Sequence, residues 1–352
     1  MPETLAVILG CDCDPDRPGY GGARYDIRHP SQRWTSLTDG VSSLLTILQR
    51  VENVCGVKPR VVFCLRSDSQ MKEIYGSASW AIEEFAGTWR RLEAEGHELA
   101  WHPHLWRWHD DSNCWLQEAE DTHWILECLE EGFSQFRRAL GKNPVTSHSG
   151  WTFHNNTTMA KLSELGIKVD FSACPGVFFQ GGPNKDGTRF DNRIDWRGTP
   201  QRWYRPSRAD YRRPADNGED ELSVVEIPKF TSETRLLRTL KGLAARGKAG
   251  TTEAAGVFLQ ITALPILYRR IVKERLECEE AEPFFATYFH PDELLPVRSS
   301  SARSFLYSAD NLEKNLIALI EGARKRGRVV KFVTGPEAFE IVKKLERGKA
   351  GA

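Results

Sequence analysis

Four of the nine histidines in this chain of 352 residues lie between His97 and His109, interleaved with three tryptophans. The segment begins after Gly96, and we expect it to form a strand. Side chains two residues apart point to the same side of a strand, so His102 and His104 can present two imidazoles to one point. Such a pair is a common arrangement for binding a first-row metal ion. From this pair alone, metal binding and a structural role, as packed or capping imidazoles, are equal alternatives.

Carboxylates and imidazoles also follow several other predicted strands. The groups are Asp12-Cys13-Asp14 after the first strand, His102-Pro103-His104 after the third, His148-Ser149-Gly150-Trp151 after the fourth and His290-Pro291-Asp292-Glu293 after a late one. In a parallel barrel, catalytic residues lie at the C-terminal ends of strands. Asp12 and Asp14 share one side of an extended chain, as His102 and His104 do. The pattern predicts a metal site with two imidazoles and a carboxylate, and a further carboxylate for acid–base chemistry.

Strand and helix patterns alternate along most of the chain. The predicted strands cover residues 5–11, 61–65, 97–105, 145–151, 167–171, 222–227, 284–289 and 329–333. Repeated strand–helix units imply parallel strands joined by crossover helices, and about eight strands favour a (β/α)7–8 barrel over an open sheet. No glycine-rich dinucleotide or phosphate fingerprint follows any of these strands, which counts against the commonest functions of open sheets.

We expect a single domain over residues 1–352, because no repeat or linker divides the chain. Residues 173–221 are rich in Gly, Pro, Arg and Asp and predict a long loop on the substrate side, since loops of that length in compact domains are usually functional. Residues 232–278 predict an inserted helical segment, with helices at about 232–246 and 253–277. A lid, a dimer surface and a membrane-facing pair of helices are open alternatives for this segment, and a homo-oligomer is possible.

The composition argues against several classes of protein. The 48 Lys and Arg residues balance 48 Asp and Glu residues, so no broad field attracts nucleic acid or an anionic membrane. No apolar run approaches the roughly 20 residues that a transmembrane helix needs. The N-terminal apolar run lacks a basic segment before it and is interpreted as a first strand rather than a signal peptide. The eight scattered cysteines are interpreted as reduced thiols, and these features together predict a cytoplasmic protein.

Two longer motifs resemble a known family. They are Gly-His-Glu-Leu-Ala-Trp-His-Pro-His at residues 96–104 and Ser-Gly-Trp-Thr-Phe-His-Asn-Asn-Thr-Thr, which opens the segment 149–173. With Asp-x-Asp before them and His-Pro after them, the order resembles the polysaccharide deacetylase family (carbohydrate esterase family 4, NodB homology) over about residues 5–295. The resemblance implies a distorted (β/α) barrel and metal-dependent removal of an N-acetyl group from an amino sugar.

The resemblance also implies roles for individual residues. The family uses one first-strand carboxylate as general base and the other as metal ligand. We assign Asp12 as base and Asp14 as ligand, and the reverse order stays open. His102 matches the first metal histidine. The family's second metal histidine lies four residues further on, where this chain has a tryptophan, so His104 is the expected second imidazole and His109 the alternative.

Four further positions take their expected roles from the family. His148 stands where the family has an arginine that orients the base, and a cationic imidazole could partly replace that arginine. His290 matches the late histidine that acts as general acid. Asp195 and Trp196 resemble residues that line the acetyl pocket. The implied cofactor is a divalent ion, zinc foremost, with cobalt, nickel or iron as alternatives.

The sequence therefore predicts an intracellular, metal-dependent N-deacetylase. Its substrate would be a polysaccharide precursor or a glycosylated metabolite that carries an N-acetyl amino sugar. Trp106, Trp151 and Trp196 would pack against sugar rings, with ordinary core packing as the alternative for each. The altered motifs leave two other hypotheses. One is a different C–N hydrolase, acting on a cyclic amide or a formyl group, and the other is a barrel that binds sugar without catalysis.

Overall fold

A computed structural model describes residues 3–16, 33–183, 189–216, 218, 220–234, 237, 251–254, 256–278, 283–296 and 306–350. The strands are β1 (Thr4–Cys13), β2 (Val62–Arg66), β3 (Glu98–His102), β4 (Trp106–His109), β5 (Cys114–Gln117), β6 (Thr146–Ser147), β7 (Val169–Asp170), β8 (Val177–Pro183), β9 (Arg189–Asp195), β10 (Val225–Glu226), β11 (Thr251–Ala254), β12 (Phe284–Phe289) and β13 (Val329–Phe332).

The helices are α1 (Asp39–Cys55), α2 (Ser69–Tyr75), α3 (Trp80–Glu84), α4 (Ala86–Ala94), α5 (Thr122–Leu140), α6 (Asn156–Glu164), α7 (Pro265–Glu277), α8 (Ala309–Arg324) and α9 (Gly335–Ala350). Two of the longest end at a glycine, as the sequence predicts for Gly141, whereas the first extends past the end predicted at about Val51. Gly56 after α1 and Gly141 after α5 adopt the left-handed conformation, with φ of 65° and 69°, which stops a helix at little steric cost for glycine.

Eight strands form one sheet in which every pairing is parallel. Seven of them follow the order β10-β7-β6-β3-β2-β1-β12, and β13 pairs with the first half of β1. A parallel bridge between Lys229, just after β10, and Ala286 in β12 joins the two ends of this order. The predicted distorted (β/α) barrel is therefore confirmed.

Alternation along each strand separates the barrel interior from the helical layer. In β1, Leu5 and Leu9 pack in the large buried cluster that contains the α1 residues. Ala6 and Ile8 pack instead in a second cluster, whose other strand members come from alternate positions of the neighbouring strands. This second cluster fills the barrel, and the same inward side continues through even-numbered residues to the end of β1.

Some predicted elements are wrong in their bounds. The spacing of Trp80, Phe85, Trp89 and Leu92 predicts one helix over 79–95, but this segment is divided at Phe85 into α3 and α4. The apolar residues of the next segment predict a helix over 115–140. It begins only at Thr122, because β4 and β5 form an antiparallel hairpin before it. The side chain of Asp121 caps this helix by accepting a hydrogen bond from the Trp124 amide, which fixes where it starts.

The segment from 173 onward contains more strand than the sequence predicts. β8 and β9 form an antiparallel hairpin, and β11 adds a third strand beside β8. The helix predicted at 232–246 lies largely outside the described residues. The helix predicted from 253 begins only at Pro265, and residues 251–254 form β11 instead. None of the helices in the described part of the chain has the length and apolar content that crossing a bilayer requires.

Candidate metal centre

Polar side chains occupy the inward side of the barrel where its strands end. We call this set the inward cluster: Asp12, Asp14, His102, His104, His148 and His290, which belong to or follow β1, β3, β6 and β12. All but Asp14 are buried, and the Asp14 side chain is only 13% exposed. The structure thus brings together six residues that the sequence placed at the ends of four strands.

Three side chains of the inward cluster are spaced as ligands of one metal ion. Nε2 of His104 lies 3.1 Å from Nε2 of His102 and 3.3 Å from Oδ1 of Asp14. Nε2 of His102 lies 3.7 Å from Oδ2 of Asp14. Tetrahedral ligands bound at about 2.0–2.1 Å are about 3.3 Å apart, so these separations match. His109, the alternative second imidazole, belongs to neither metal-compatible group that the described residues form.

The ring of His102 is held in the orientation that a metal ligand needs. Its Nδ1 donates a hydrogen bond to the backbone carbonyl of His148. A carbonyl oxygen can only accept, so the proton of the neutral ring lies on Nδ1. Nε2 therefore keeps its lone pair, directed towards Asp14 and His104.

His104 fits the same site by position, but its ring proton lies on the nitrogen that faces the site. The indole nitrogen of Trp106 donates to its Nδ1 at 2.6 Å, so the neutral ring carries its proton on Nε2. Burial lowers the pKa of His104 to about 4, with the Arg66 guanidinium adding to the effect. Binding a cation through Nε2 would require that proton to move to Nδ1, and Trp106 could then no longer donate to it. We conclude that the three side chains fit a divalent ion.

The backbone at Gly150 makes room for this imidazole. A Cβ added at Gly150 would lie 2.3 Å from the ring of His104, closer than any real side-chain carbon approaches. Glycine is therefore required here by close approach, and the segment after β6 defines the position of the second candidate ligand.

A second metal-compatible group consists of Asp12, His102 and His148. Three of its four ring nitrogens already form hydrogen bonds that leave no lone pair for a metal ion. Nδ1 of His148 lies 2.7 Å from Oδ1 of Asp12, and Nε2 lies 2.7 Å from Nζ of Lys229. Nδ1 of His102, the nitrogen nearer Asp12 at 4.0 Å, donates to the carbonyl of His148. The group of Asp14, His102 and His104 is therefore the better candidate for an ion.

A buried arginine lies behind the candidate ligands. Arg66, which has no exposed surface, donates from one terminal nitrogen to Oδ1 of Asp14 at 2.9 Å. Its other terminal nitrogen donates to Oδ1 of Asp68 at 3.0 Å. Asp68 in turn accepts a hydrogen bond from the backbone amide of His104 at 3.3 Å. The two ion pairs of Arg66 thus link Asp14, which follows β1, to the backbone of His104, which follows β3.

His290 faces the two carboxylates from the end of the neighbouring strand, β12. Its Nε2 lies 3.8 Å from Oδ2 of Asp12 and 3.7 Å from Oδ2 of Asp14. On the other side of the ring, Nδ1 lies 3.3 Å from the buried Glu293 carboxylate and 3.1 Å from the Gln260 amide nitrogen. A carboxylate can only accept, so Glu293 favours a proton on Nδ1 and directs Nε2 into the inward cluster.

The charges of the inward cluster are set by burial and by its members. Burial alone would raise the pKa of Asp12, but the adjacent imidazoles, His148 foremost, hold it well below its usual value. Burial likewise opposes ionisation of Asp14, yet His104 and His102 lower its pKa. Burial lowers the pKa of His148 to about 4, although Asp12 acts in the opposite direction. These shifts favour ionised carboxylates and a neutral His148 imidazole at neutral pH.

The two residues predicted to line an acetyl pocket, Asp195 and Trp196, form contacts elsewhere in the protein. Asp195, at the end of β9, forms ion pairs with Arg197 at 2.8 Å and Arg212 at 3.0 Å. Trp196 has no exposed surface, and its indole nitrogen donates to the carbonyl of Thr152 at 2.8 Å. Within the described residues, neither side chain forms a hydrogen bond or ion pair with the inward cluster. A fully buried ring cannot offer a face to a sugar, so the core-packing alternative holds for Trp196.

The other two tryptophans differ from each other. Trp106 is 1% exposed and orients His104, so it is a positioning residue rather than a sugar contact. Trp151 is half-buried beside Gly150 and has φ of 55°, in the left-handed region that large side chains rarely adopt. Strained backbone of this kind persists where surrounding structure enforces it, often at functional sites. Trp151 remains a candidate for contact with a sugar.

Comparison with solved structures identifies the fold. No family model matches the sequence, and no curated protein is similar to it. A polysaccharide deacetylase candidate from Mycobacterium smegmatis superposes with a TM-score of 0.50 at 15% identity, over 98% of this chain and 92% of that one. The chain has the polysaccharide deacetylase fold. A candidate glycoside hydrolase/deacetylase from Parabacteroides distasonis gives a TM-score of 0.57 at 14% identity, over 97% of this chain and 72% of that one.

Sequence reasoning missed three polar residues of this deacetylase-fold site and gave no role to Glu293. The three are Arg66, Lys229 and Gln260. For two of them a signal was present: Arg66 lies two residues after Cys64, and Lys229 two residues after Ile227, and both Cys64 and Ile227 point into the barrel. Extending the inward alternation to the end of β2 and past the end of β10 would have added both residues to the predicted site.

Proposed function

We propose that this protein is a metal-dependent amide hydrolase that removes the N-acetyl group from an amino sugar. The observation that carries the proposal is the spacing of Asp14, His102 and His104 beside a second buried carboxylate, Asp12. Asp14, His102 and His104 would hold the ion, most plausibly zinc. When bound, a divalent ion supplies polarisation of the amide carbonyl and a lowered pKa for water.

Asp12 is assigned the role of general base. Its lowered pKa keeps it ionised at neutral pH, which is the form that can accept a proton from the attacking water. One oxygen accepts a hydrogen bond from His148, and the other faces His290 at 3.8 Å. Acid–base groups placed in this way contribute about 10²–10⁴-fold to a rate.

His290 is assigned the role of general acid. Its Nε2 would donate a proton to the amine nitrogen as the C–N bond breaks, so that acetate and a free amine leave. The Glu293 carboxylate, 3.3 Å from Nδ1, stabilises the protonated ring before that transfer. The water proton goes to Asp12 and the amine receives its proton from His290, which balances the reaction.

The substrate class is inferred from the fold and from the exposed part of the site. Structures with this fold include one named as a polysaccharide deacetylase candidate, and the half-buried Trp151 offers an apolar ring next to the segment that positions His104. We propose a polysaccharide precursor or a glycosylated metabolite inside the cell as the substrate, with the 173–221 segment on the substrate side.

The test is acetate release by protein of known metal content. Purified protein, loaded with zinc, cobalt, nickel or iron, is incubated with N-acetylglucosamine derivatives, N-acetylated oligosaccharides, cyclic amides and formyl amides. We expect acetate from an N-acetyl amino sugar and none from Asp12→Asn protein with the same metal content. Products only from the cyclic or formyl amides would replace the deacetylase by a different C–N hydrolase. A metal-loaded protein that binds oligosaccharides but cleaves nothing would contradict the proposal.

A further inference from the structure

The arginine that orients the general base in the resembled family has no counterpart at position 148, where this chain has a histidine. The structure instead places a buried lysine, Lys229, on the far side of the His148 ring from Asp12. Nζ of Lys229 lies 2.7 Å from Nε2 of His148, and Nδ1 of the same ring lies 2.7 Å from Oδ1 of Asp12. We infer that Lys229 is a positioning residue for Asp12 and acts through the His148 ring.

The chemistry of the three groups fixes the direction of both hydrogen bonds. The Asp12 carboxylate can only accept, so Nδ1 of His148 carries a proton and donates it. Nε2 of the neutral ring then has only a lone pair to offer, and the amine of Lys229 is the donor that satisfies it. Each member therefore determines the next, from Lys229 to His148 to Asp12.

Packing holds the chain of three groups in place. Lys229 has no exposed surface, and the exposed fractions of His148 and Asp12 are 1% and 3%. The His148 ring stacks on Phe171 with centroids 4.5 Å apart. The Lys229 amine lies 4.9 Å from the centre of the Tyr288 ring, a cation–π distance. Water cannot replace the Lys229 donor cheaply in such surroundings, so removing the amine leaves Nε2 unsatisfied.

The position of Lys229 in the fold supports a role at the site rather than in stability alone. It follows β10 on the inward side, and its backbone makes the parallel bridge to Ala286 that joins the ends of the barrel order. A buried charge with no carboxylate as direct partner is costly to fold. Its partner is instead the imidazole that contacts the proposed base.

This inference rests on the proposed function only in treating Asp12 as the general base. The test below distinguishes a failure of the inference from a failure of the proposed function. Wild-type protein is compared with Lys229→Met, which removes the donor at similar length, and Lys229→Gln, which keeps a donor without charge. The first measurement, made without metal or substrate, is the ¹⁵N spectrum of the histidine rings, with His148 assigned by its absence in His148→Gln. We expect the Nε2 signal of His148 to move in Lys229→Met to the position of a nitrogen that accepts no hydrogen bond, and to stay closer to wild type in Lys229→Gln.

The second measurement is turnover with the best substrate from the acetate assay. Lys229→Met should lower kcat by about 10²-fold, the cost of misplacing a catalytic group by roughly 1 Å, with KM and metal content unchanged. Unchanged Nε2 signals in a folded Lys229→Met protein, or wild-type kcat in that variant, would overturn the inference. If Lys229→Met does not fold, Lys229→Leu, which also removes the donor, decides by the same two measurements. If the wild type cleaves nothing, the ring signals still decide the Lys229 contact while the proposed function fails.

Discussion

The Nε2 atoms of His102 and His104 lie 3.1 Å apart, although only one residue separates these two histidines in the sequence. Consecutive inward positions at the end of β3 bring the rings together at an interplanar angle of 85°. In the resembled family the two metal histidines are four positions apart in sequence. Here a spacing of two positions is enough for both imidazoles to approach the carboxylate of Asp14. The following predictions test this arrangement.

Removing His102 should abolish metal binding. Because its Nε2 is one of three candidate donors and its Nδ1 is fixed by a carbonyl, His102→Ala should reduce occupancy from about one ion per chain to near none. Elemental analysis after dialysis measures this. His109→Ala is the matched control from the same segment, since His109 belongs to neither metal-compatible group among the described residues, and it should keep full occupancy. Full occupancy in His102→Ala would reject the proposed ligand set.

Adding a single methyl group at Gly150 should weaken metal binding. The new Cβ would lie 2.3 Å from the His104 ring, so the ring or the backbone has to move. We expect Gly150→Ala to lower metal affinity by at least about 10–100-fold, the range seen when groups that position ligands are lost. Titration calorimetry gives the affinity. Gly87→Ala, where a Cβ meets nothing within 4 Å, is the control and should bind as the wild type does.

Replacing the proposed base should separate catalysis from metal binding. Asp12→Asn keeps the size of the side chain and removes its ability to take a proton, so kcat should fall by about 10²–10⁴-fold. Metal content should stay at the wild-type value, because the candidate ligand carboxylate is Asp14. If Asp12→Asn loses its metal and Asp14→Asn retains it, the two carboxylates have the opposite roles.

Glu293 should matter for the proposed acid through His290. Glu293→Gln removes the acceptor carboxylate 3.3 Å from Nδ1, which fixes the orientation of the ring. We expect kcat to fall with little change in metal content. An unchanged kcat, measured by acetate release, would show that Glu293 does not act on His290.

Acid should destabilise the fold through His97, which is remote from the inward cluster. Nδ1 of His97 accepts a hydrogen bond from the Val61 amide, and burial, with the charges of Lys58 and Arg60, lowers its pKa from 6.5 to about 4. The unfolded chain takes up a proton near pH 6.5 and the folded chain does not. The contribution of His97 is therefore complete above pH 6.5 and is lost as pH falls towards 4.

His97→Asn keeps an acceptor for the Val61 amide but cannot be protonated in this range. The free energy of unfolding, measured by urea denaturation from pH 7 to 4, should fall with pH less steeply in this variant than in the wild type. The difference has an upper limit of about 3 kcal/mol, from a shift of this size at about 1.4 kcal/mol per pKa unit. Parallel curves for the two proteins would contradict the assignment.

The sequence was sufficient for the barrel and for all six members of the inward cluster. Polar residues at the ends of β1, β3, β6 and β12 interrupt strongly apolar strands, and the C-terminal ends of parallel strands meet at one end of a barrel. The sequence alone therefore predicts that Asp14, His102 and His104 lie together. It also left the order of roles of Asp12 and Asp14 open, and the bond from His148 to Asp12 now favours Asp12 as the base.

The remainder depended on contacts that no local pattern encodes. Trp196 follows a carboxylate as a pocket residue of the resembled family would, yet the hydrogen bond to Thr152 and its complete burial put it in the core. The apolar residues around the β4–β5 hairpin have helical spacing. The segment nevertheless forms two strands, because they pair with each other across a turn. Lys229 and His148 are 81 residues apart in sequence, so only closure of the barrel brings them together.

Anomalous diffraction from crystals of the metal-loaded protein tests the central claim most directly. We predict one strong peak within about 2.0–2.2 Å of an Asp14 carboxylate oxygen, Nε2 of His102 and Nε2 of His104. Trp106 should then have lost its hydrogen bond to Nδ1 of His104, since that nitrogen carries the ring proton once Nε2 binds the ion. A peak between Asp12 and His148, or no peak at the inward cluster in protein shown to contain metal, would contradict the account.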